Sequence, residues 1–219
     1  MDRTILIALG VALATALALF AIWPGLDLAA AHAFFVDGHF VGETPWGKVG
    51  RDFFRITPYV LLIVMLAAYG LKRLGVAILF APSGRAVLFL AATMIVGPGL
   101  IVNLGMKDHL HRPRPVHVQE FGGEAPFKPW YEFDGACRKN CAFASGEAAQ
   151  AFWMVAPALL APLPWRAAAI AAALVFGVAG SALRLAFGGH FLSDVIVGAL
   201  ITLIVVFALK RAFWPRGGP

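Results

Sequence analysis

Charged residues are scarce in this chain, at 14%, whereas soluble domains carry about a quarter. Hydrophobic residues make up 60% of the sequence, and the mean hydropathy is +0.80. This balance excludes an ordinary soluble domain and predicts a membrane protein. The net charge of +6 does not indicate nucleic-acid binding, because the cations flank apolar segments instead of forming a stripe on a soluble fold.

Cysteine is also rare, since only Cys137 and Cys141 occur. Two ligands are too few for a zinc site, which takes four. In an oxidising compartment the pair is expected to form a disulfide across a short loop, and two free thiols are the alternative. His109, His111 and His117 lie near prolines at irregular spacing, so they are interpreted as loop residues and not as metal ligands.

The chain has no internal repeat and no low-complexity linker, so residues 1–219 are expected to form a single domain. Its apolar residues fall into six runs, at 4–23, 57–71, 85–106, 145–163, 167–187 and 191–209. The first run is too long for the core of a signal peptide and is expected to be retained. The sequence therefore predicts an all-α, polytopic membrane protein with six transmembrane helices.

Three local features refine this prediction. The third run contains Gly97-Pro98-Gly99, which predicts a kink because proline cannot donate a helical hydrogen bond. The second run, 57–71, is short for a span, so its helix is expected to begin earlier. Residues 26–35 are predicted to form a short helix along the membrane interface.

Six spans place both termini on one side of the membrane. Counts of lysine and arginine do not decide the orientation, because the terminal side has eight and the other side ten. The eight lie in short loops beside helix ends, where the positive-inside bias acts. They are Arg3, Lys72, Arg73, Arg85, Arg166, Lys210, Arg211 and Arg216. The termini are therefore predicted in the cytoplasm, and the long polar stretch 107–147 outside.

Three short patterns fall on the outer face under this topology. They are Lys107-x6-Arg114-Pro115, Ala144-Ser145-Gly146-Glu147 and Arg184-x5-His190-x3-Asp194. Lysine and arginine side chains bind phosphate well, and arginine matches its geometry with two parallel donors. A single arginine at a helix end more often contacts lipid headgroups, so the argument depends on the three patterns together.

The second and third patterns add anion binding and a nucleophile. Ser145-Gly146 opens a helix, where free backbone N–H groups and the helix dipole favour an anion, although a serine here can simply cap the helix. His190 and Asp194 are four residues apart at a helix start and therefore share a face. The carboxylate could hold the imidazole in the tautomer that leaves one nitrogen free to attack phosphorus.

Together, the three patterns resemble the type 2 phosphatidic acid phosphatase superfamily of integral membrane lipid phosphatases, whose six-span layout also matches. The resemblance implies that His190 is the nucleophile that forms a phosphohistidine and that Asp194 orients it. It also implies phosphate binding by a larger set of residues, and no metal or cofactor. That set is Lys107, Arg114, Arg184, Ser145 and Gly146.

The sequence departs from this family at two positions. The family usually has Pro-Ser-Gly-His where this chain has Ala-Ser-Gly-Glu, and serine where this chain has Leu183. The replaced histidine is the family's general acid, so the role of Glu147 in its place is open. Glu147 could be the acid once phosphate binds, or the leaving group could need little help. A third possibility is that Glu147 binds a cationic or hydroxyl-rich part of the headgroup.

The spacing Cys137-x3-Cys141-x3-Ser145-Gly146-Glu147 resembles the bacterial lipid A phosphatases of this superfamily. It favours a phosphorylated glycolipid in the periplasmic leaflet of the inner membrane. Phosphatidylglycerol phosphate, phosphatidate and undecaprenyl diphosphate are alternative substrates, and a lipid phosphotransferase is an alternative activity. A non-catalytic lipid-binding or transport protein is disfavoured, because phosphate binding alone needs neither His190 nor Asp194.

Overall fold

The computed structural model describes residues 2–79, 81–107 and 109–215, and these residues are mostly helical. The helices are α1 Asp2–Ile22, α2 Gly25–His32, α3 Pro45–Arg73, α4 Gly84–Met94, a π-helix Ile95–Met106, α5 Gly146–Trp153, α6 Val155–Leu159, α7 Leu163–Ala186 and α8 Leu192–Phe213. Two 3₁₀ turns, Pro115–His117 and Gln119–Phe121, lie in the polar stretch. A short antiparallel hairpin pairs β1 (Phe35–Val36) with β2 (His39–Phe40).

Among the described residues, five helices are long and apolar enough to cross a membrane. They are Asp2–Ile22, Pro45–Arg73, Gly84–Met106, Leu163–Ala186 and Leu192–Phe213. This confirms the all-α, polytopic class. The predicted fourth span, 145–163, forms two short helices, α5 and α6, and the count of six stays a prediction. Pro157 cannot donate to the carbonyl of Trp153, which explains the break between them.

The second span begins before residue 57, as expected, and the third keeps its predicted extent but changes helix type partway along. The α3 helix begins at Pro45, well before residue 57, because Thr44 caps it and accepts a hydrogen bond from the Gly47 N–H at 2.9 Å. The third span changes from α-helix to π-helix at Ile95, next to the predicted kink. The π-helix ends at Met106, so Lys107 follows it directly.

The start of α1 and the end of α8 lie together at one end of the bundle, and the described part of the polar stretch lies at the other. Lys210 Nζ, near the end of α8, donates to the Asp2 carboxylate at 2.9 Å. At the other end of α8, the Ser193 N–H donates to Asp27 of α2 at 2.8 Å. Arg216, one of the cations on the terminal side, lies outside the described residues.

The start of α5 is held tightly against α8. A Cβ atom at Gly198 would lie 2.6 Å from the carbonyl oxygen of Ser145, so only glycine fits this crossing. The Ser145 N–H also donates to the Asp194 carbonyl at 2.9 Å. Below this point, Trp153 Nε1 donates to Thr93 Oγ1 at 2.9 Å inside the apolar core. The second and third sequence patterns therefore lie side by side, where the start of α5 packs against α8.

Candidate active site

The structure brings the three sequence patterns together at one end of the bundle. Lys107 follows the π-helix, and Arg114 lies in the polar stretch. Ser145 caps α5, whose first residues are Gly146 and Glu147. The third pattern spans the turn between two long helices, with Arg184 in the last turn of α7, His190 in the turn and Asp194 in the first turn of α8.

His190 is buried and held through one ring nitrogen. Its Nδ1 lies 2.7 Å from the Ala142 carbonyl oxygen. A carbonyl oxygen can only accept, so Nδ1 carries the proton and Nε2 keeps its lone pair. Asp194 Oδ2 lies 3.7 Å from Nδ1, beyond hydrogen-bond distance. The backbone carbonyl therefore fixes the tautomer, and not the Asp194 carboxylate as the sequence suggested.

The electrostatic surroundings keep His190 neutral. Burial lowers the pKa of its imidazole, and the positive charges of Arg184, Lys107 and Arg114 lower it further, to well below the usual value. A neutral imidazole with a lone pair on Nε2 is the form that can act as a nucleophile.

A buried network of ion pairs and hydrogen bonds fixes the position of the Asp194 side chain. The Arg112 guanidinium donates to Asp194 Oδ1 at 2.5 Å and to Asp27 Oδ2 at 2.7 Å. The same side chain donates to Ser193 Oγ at 2.8 Å and to the Lys128 carbonyl at 2.9 Å. Both carboxylates and Arg112 are about 1% exposed or less, so each charge depends on its partner.

Sequence reasoning missed this network. It assigned no role to Arg112 or to Asp27. The available signal was an acid in the otherwise apolar segment 26–35, since a buried carboxylate needs a partner. Asp27 lies on the α2 helix, which therefore contributes to the site and is not only an interfacial segment.

Glu147 lies in a second ion cluster with two arginines. Arg51 of α3 donates to its two carboxylate oxygens at 2.6 and 3.2 Å. Arg184 Nε lies 3.4 Å from Glu147 Oε2, an ion pair without hydrogen-bond geometry. Within the described ranges 2–79, 81–107 and 109–215, this Nε has no hydrogen-bond partner. Arg51 was not found from the sequence, because no local pattern marks it.

Glu147 is ionised in this arrangement. It lies outside the five long apolar helices, at the start of α5. Burial favours its protonated form, but the hydrogen bond from Arg51 and the charges of Arg184 and Arg51 outweigh burial and lower the pKa of Glu147. Gly189 allows Arg184 to fold over the turn, since a Cβ atom there would lie 2.1 Å from Arg184 Nη2.

The loop between Cys137 and Cys141, here called the cysteine loop, holds the other two cations, Lys107 and Arg114. The structure joins Cys137 to Cys141 by a disulfide. Inside this loop, Asn140 has a positive φ of 53° and accepts from Lys107 Nζ through Oδ1 at 2.9 Å. Its backbone carbonyl accepts from Arg114 Nη2 at 2.8 Å. The loop thus keeps Lys107 and Arg114 beside one another.

Ser145 and Gly146 form the N-terminus of α5. Ser145 Oγ accepts from the Ala148 N–H at 3.3 Å, which is the capping contact anticipated as the alternative to phosphate binding. A Cβ atom at Gly146 would clash with the Asn103 side-chain amide, so a larger residue here would have to displace that amide. The positive end of the helix faces the same cluster as Glu147.

Comparison with known proteins identifies the family. The PAP2 superfamily matches residues 85–217, well over half of the chain. The chain belongs to the PAP2 superfamily. It is 35% identical over 210 residues to a lipid A 4'-phosphatase of Rhizobium leguminosarum, covering 88% of this chain and 89% of that protein. It is also 35% identical over 204 residues to a lipid A 4'-phosphatase of Francisella tularensis subsp. novicida strain U112, covering 87% and 88%. No solved structure is a significant match.

The family predicted from the three patterns is thus confirmed. In this PAP2 superfamily member, cations from two separate parts of the chain lie near a neutral imidazole. Lys107 and Arg114 come from the polar stretch, and Arg184 comes from α7. Such a cluster can bind a phosphate dianion while a nitrogen lone pair attacks phosphorus.

Proposed function

We propose that this protein is a membrane lipid phosphatase that removes phosphate from a lipid A-type glycolipid through a phosphohistidine on His190. The observation that carries the proposal is the pairing of a neutral imidazole with a buried arginine donor. His190 keeps a lone pair on Nε2, and Arg184 Nε lacks a hydrogen-bond partner among the described residues. Simple lipid binding needs the cation but not the nucleophile. The names of the relatives support the choice of lipid.

The reaction follows in two displacements. His190 Nε2 attacks phosphorus, the bond from phosphorus to the leaving oxygen breaks, and that oxygen takes a proton to become an alcohol. Water then attacks the phosphohistidine, the N–P bond breaks, and inorganic phosphate leaves. Lys107, Arg114 and Arg184 stabilise the charge on the phosphoryl oxygens throughout. The α5 N-terminus at Ser145-Gly146 adds backbone donors.

Glu147 is the proposed proton donor for the leaving oxygen. It must gain a proton when the substrate binds, because it is ionised in the unliganded site. Phosphate brings negative charge, and its oxygens compete with the carboxylate for Arg184. Both changes raise the pKa of Glu147 toward the range in which it can act as an acid.

A pH series on three variants, Glu147→Gln, Glu147→Ala and Arg51→Met, tests this role. Glu147→Gln is expected to lower kcat by about 10²-fold or more, since general acid catalysis contributes about that much. The acid must be protonated, so activity falls as pH rises through the pKa of Glu147. Arg51→Met removes a positive charge that stabilises the carboxylate, which raises this pKa and moves the alkaline limb to higher pH. Unchanged turnover in both Glu147→Gln and Glu147→Ala would rule out the acid role.

The proposed location is the inner membrane of a bacterial cell, with residues 1–219 as one six-helix domain. Both termini would lie in the cytoplasm and the active site would face the periplasm. The positive-inside bias of the short loops supports this orientation. A disulfide in the polar stretch also fits an oxidising compartment.

Phosphate release from a lipid panel tests the function itself. Detergent-purified protein would receive lipid A, phosphatidylglycerol phosphate, phosphatidate or undecaprenyl diphosphate, each with a chelator present. The expected result is the highest kcat/KM with lipid A and no effect of the chelator. A preference for another lipid would replace the proposed substrate, and transfer to a second lipid would indicate a phosphotransferase. No release by folded protein would favour a binding or transport protein.

A further inference from the structure

A polar cavity opens beside the phosphate-binding cations. Its volume is about 330 Å³, and its walls come from α3, the end of the π-helix and the first turns of α5. This volume lies within the range of about 300–1,000 Å³ that is usual for small-molecule sites. None of the three sequence patterns predicts it, because the α3 wall lies far from them in sequence.

The cavity is continuous with the phosphate site through three shared residues, Lys107, Gly146 and Glu147. Lys107 and Glu147 also contribute to the electrostatic surroundings of His190. A phosphate held by Lys107, with its leaving oxygen at Glu147, would direct the rest of the headgroup into this cavity. The cavity is therefore on the leaving-group side of the proposed reaction.

The other lining residues include side chains that can form hydrogen bonds with hydroxyl groups. Arg55, Tyr59 and Gln150 supply a guanidinium, a phenol and an amide. Gln150 Nε2 donates to the Tyr59 hydroxyl, so both side chains are oriented toward one another across the cavity wall. Asn103 adds a second amide. Alternating donors and acceptors of this kind match a ring that carries several hydroxyl groups.

The acyl chains have other surfaces available. An apolar cavity of about 360 Å³ lies between α7 and α8, lined by residues such as Phe152, Val178 and Leu203. A second apolar cavity, of about 640 Å³, lies against α1, α2 and α8. Hydrocarbon chains can pass from the bilayer to such apolar surfaces without losing hydrogen bonds, whereas in the polar cavity they would desolvate its hydrogen-bonding groups without replacing those bonds.

We propose that this cavity binds the hydroxylated sugar ring of the leaving group and that Tyr59 and Gln150 select for it. The proposal rests on the proposed function, because it assumes a phosphorylated glycolipid as substrate. Tyr59 and Gln150 contact the sugar and not the reacting atoms, so they set specificity and not the chemical step.

Tyr59→Phe tests this proposal, because it removes one hydroxyl and keeps the ring. The glycolipid kcat/KM is expected to fall about five- to tenfold, the effect of one hydrogen bond lost to the substrate. The inhibition constant of inorganic phosphate is expected to stay within about twofold, since phosphate occupies only the cation site. Tyr69→Phe is the matched control on the same helix, near Gly84, and should change neither quantity.

The possible outcomes distinguish a failure of the proposed sugar site from a failure of the proposed phosphatase activity. An unchanged kcat/KM in Tyr59→Phe, or an equal rise in the phosphate inhibition constant, would overturn the sugar site while the phosphatase stands. Absence of phosphate release by the wild-type protein would overturn both proposals together. Thermal unfolding of each variant in detergent checks that the protein is intact.

Discussion

His190→Ala is expected to lower the rate of phosphate release by about 10³-fold or more, which is the scale of loss when a nucleophile is removed. Burial, and then the charges of Arg184, Lys107 and Arg114, lower the pKa of the His190 imidazole and keep it neutral. Without Nε2 no covalent intermediate can form, although the cations would still bind phosphate. The affinity for the lipid is therefore expected to change much less than kcat.

The matched control for this variant is His117→Ala. His117 is an exposed histidine in the same polar stretch, and it lies in a 3₁₀ turn. It is expected to retain wild-type turnover. Substantial hydrolysis by folded His190→Ala protein would contradict the assigned nucleophile.

Arg112→Met is expected to cause the largest loss of stability. The arginine lies between two buried carboxylates, Asp27 and Asp194, and removing it leaves both charges uncompensated. Breaking a buried ion pair in this way costs about 3–5 kcal/mol of unfolding free energy. The activity should also fall, since Asp194 loses the partner that fixes its side chain beside His190. Unfolding by SDS in mixed micelles measures the free energy.

A second substitution separates charge from packing. In Arg112→Met with Asp27→Asn, one of the two unpaired carboxylates is gone, so part of the lost stability is expected to return. Arg138→Met removes an exposed arginine from the cysteine loop and should change stability by no more than about 0.5 kcal/mol. Wild-type stability in Arg112→Met would show that the network is not structural.

The sequence predicted the helical class, the family and the residues that meet at the site, because those depend on local patterns. Hydropathy marks long apolar helices, and the fixed spacing in Arg184-x5-His190-x3-Asp194 sets a turn between two helices. The break between α5 and α6 was missed, because hydropathy does not register that Pro157 removes one backbone donor. The group that accepts the His190 Nδ1 hydrogen bond was also missed, since the carbonyl at Ala142 has no side-chain signature.

Ion pairs between residues that are far apart in sequence could not be predicted from local sequence patterns. Arg51 and Glu147 are 96 residues apart, and Asp27 and Arg112 are 85 apart. These contacts follow from how α2 and α3 pack against the rest of the bundle, which a single sequence does not specify. The consequence for Glu147 is direct, because whether it is ionised depends on Arg51, which no motif includes.

Capture of the covalent intermediate tests the central claim most directly. Wild-type protein would be mixed with lipid A carrying labelled phosphate, in the presence of a chelator, and stopped within milliseconds by alkaline denaturation, which preserves phosphohistidine. Peptide mapping is expected to locate the label on His190, and the label should disappear in acid and be absent from His190→Ala. Label on another side chain, or full turnover with no labelled protein, would contradict the account.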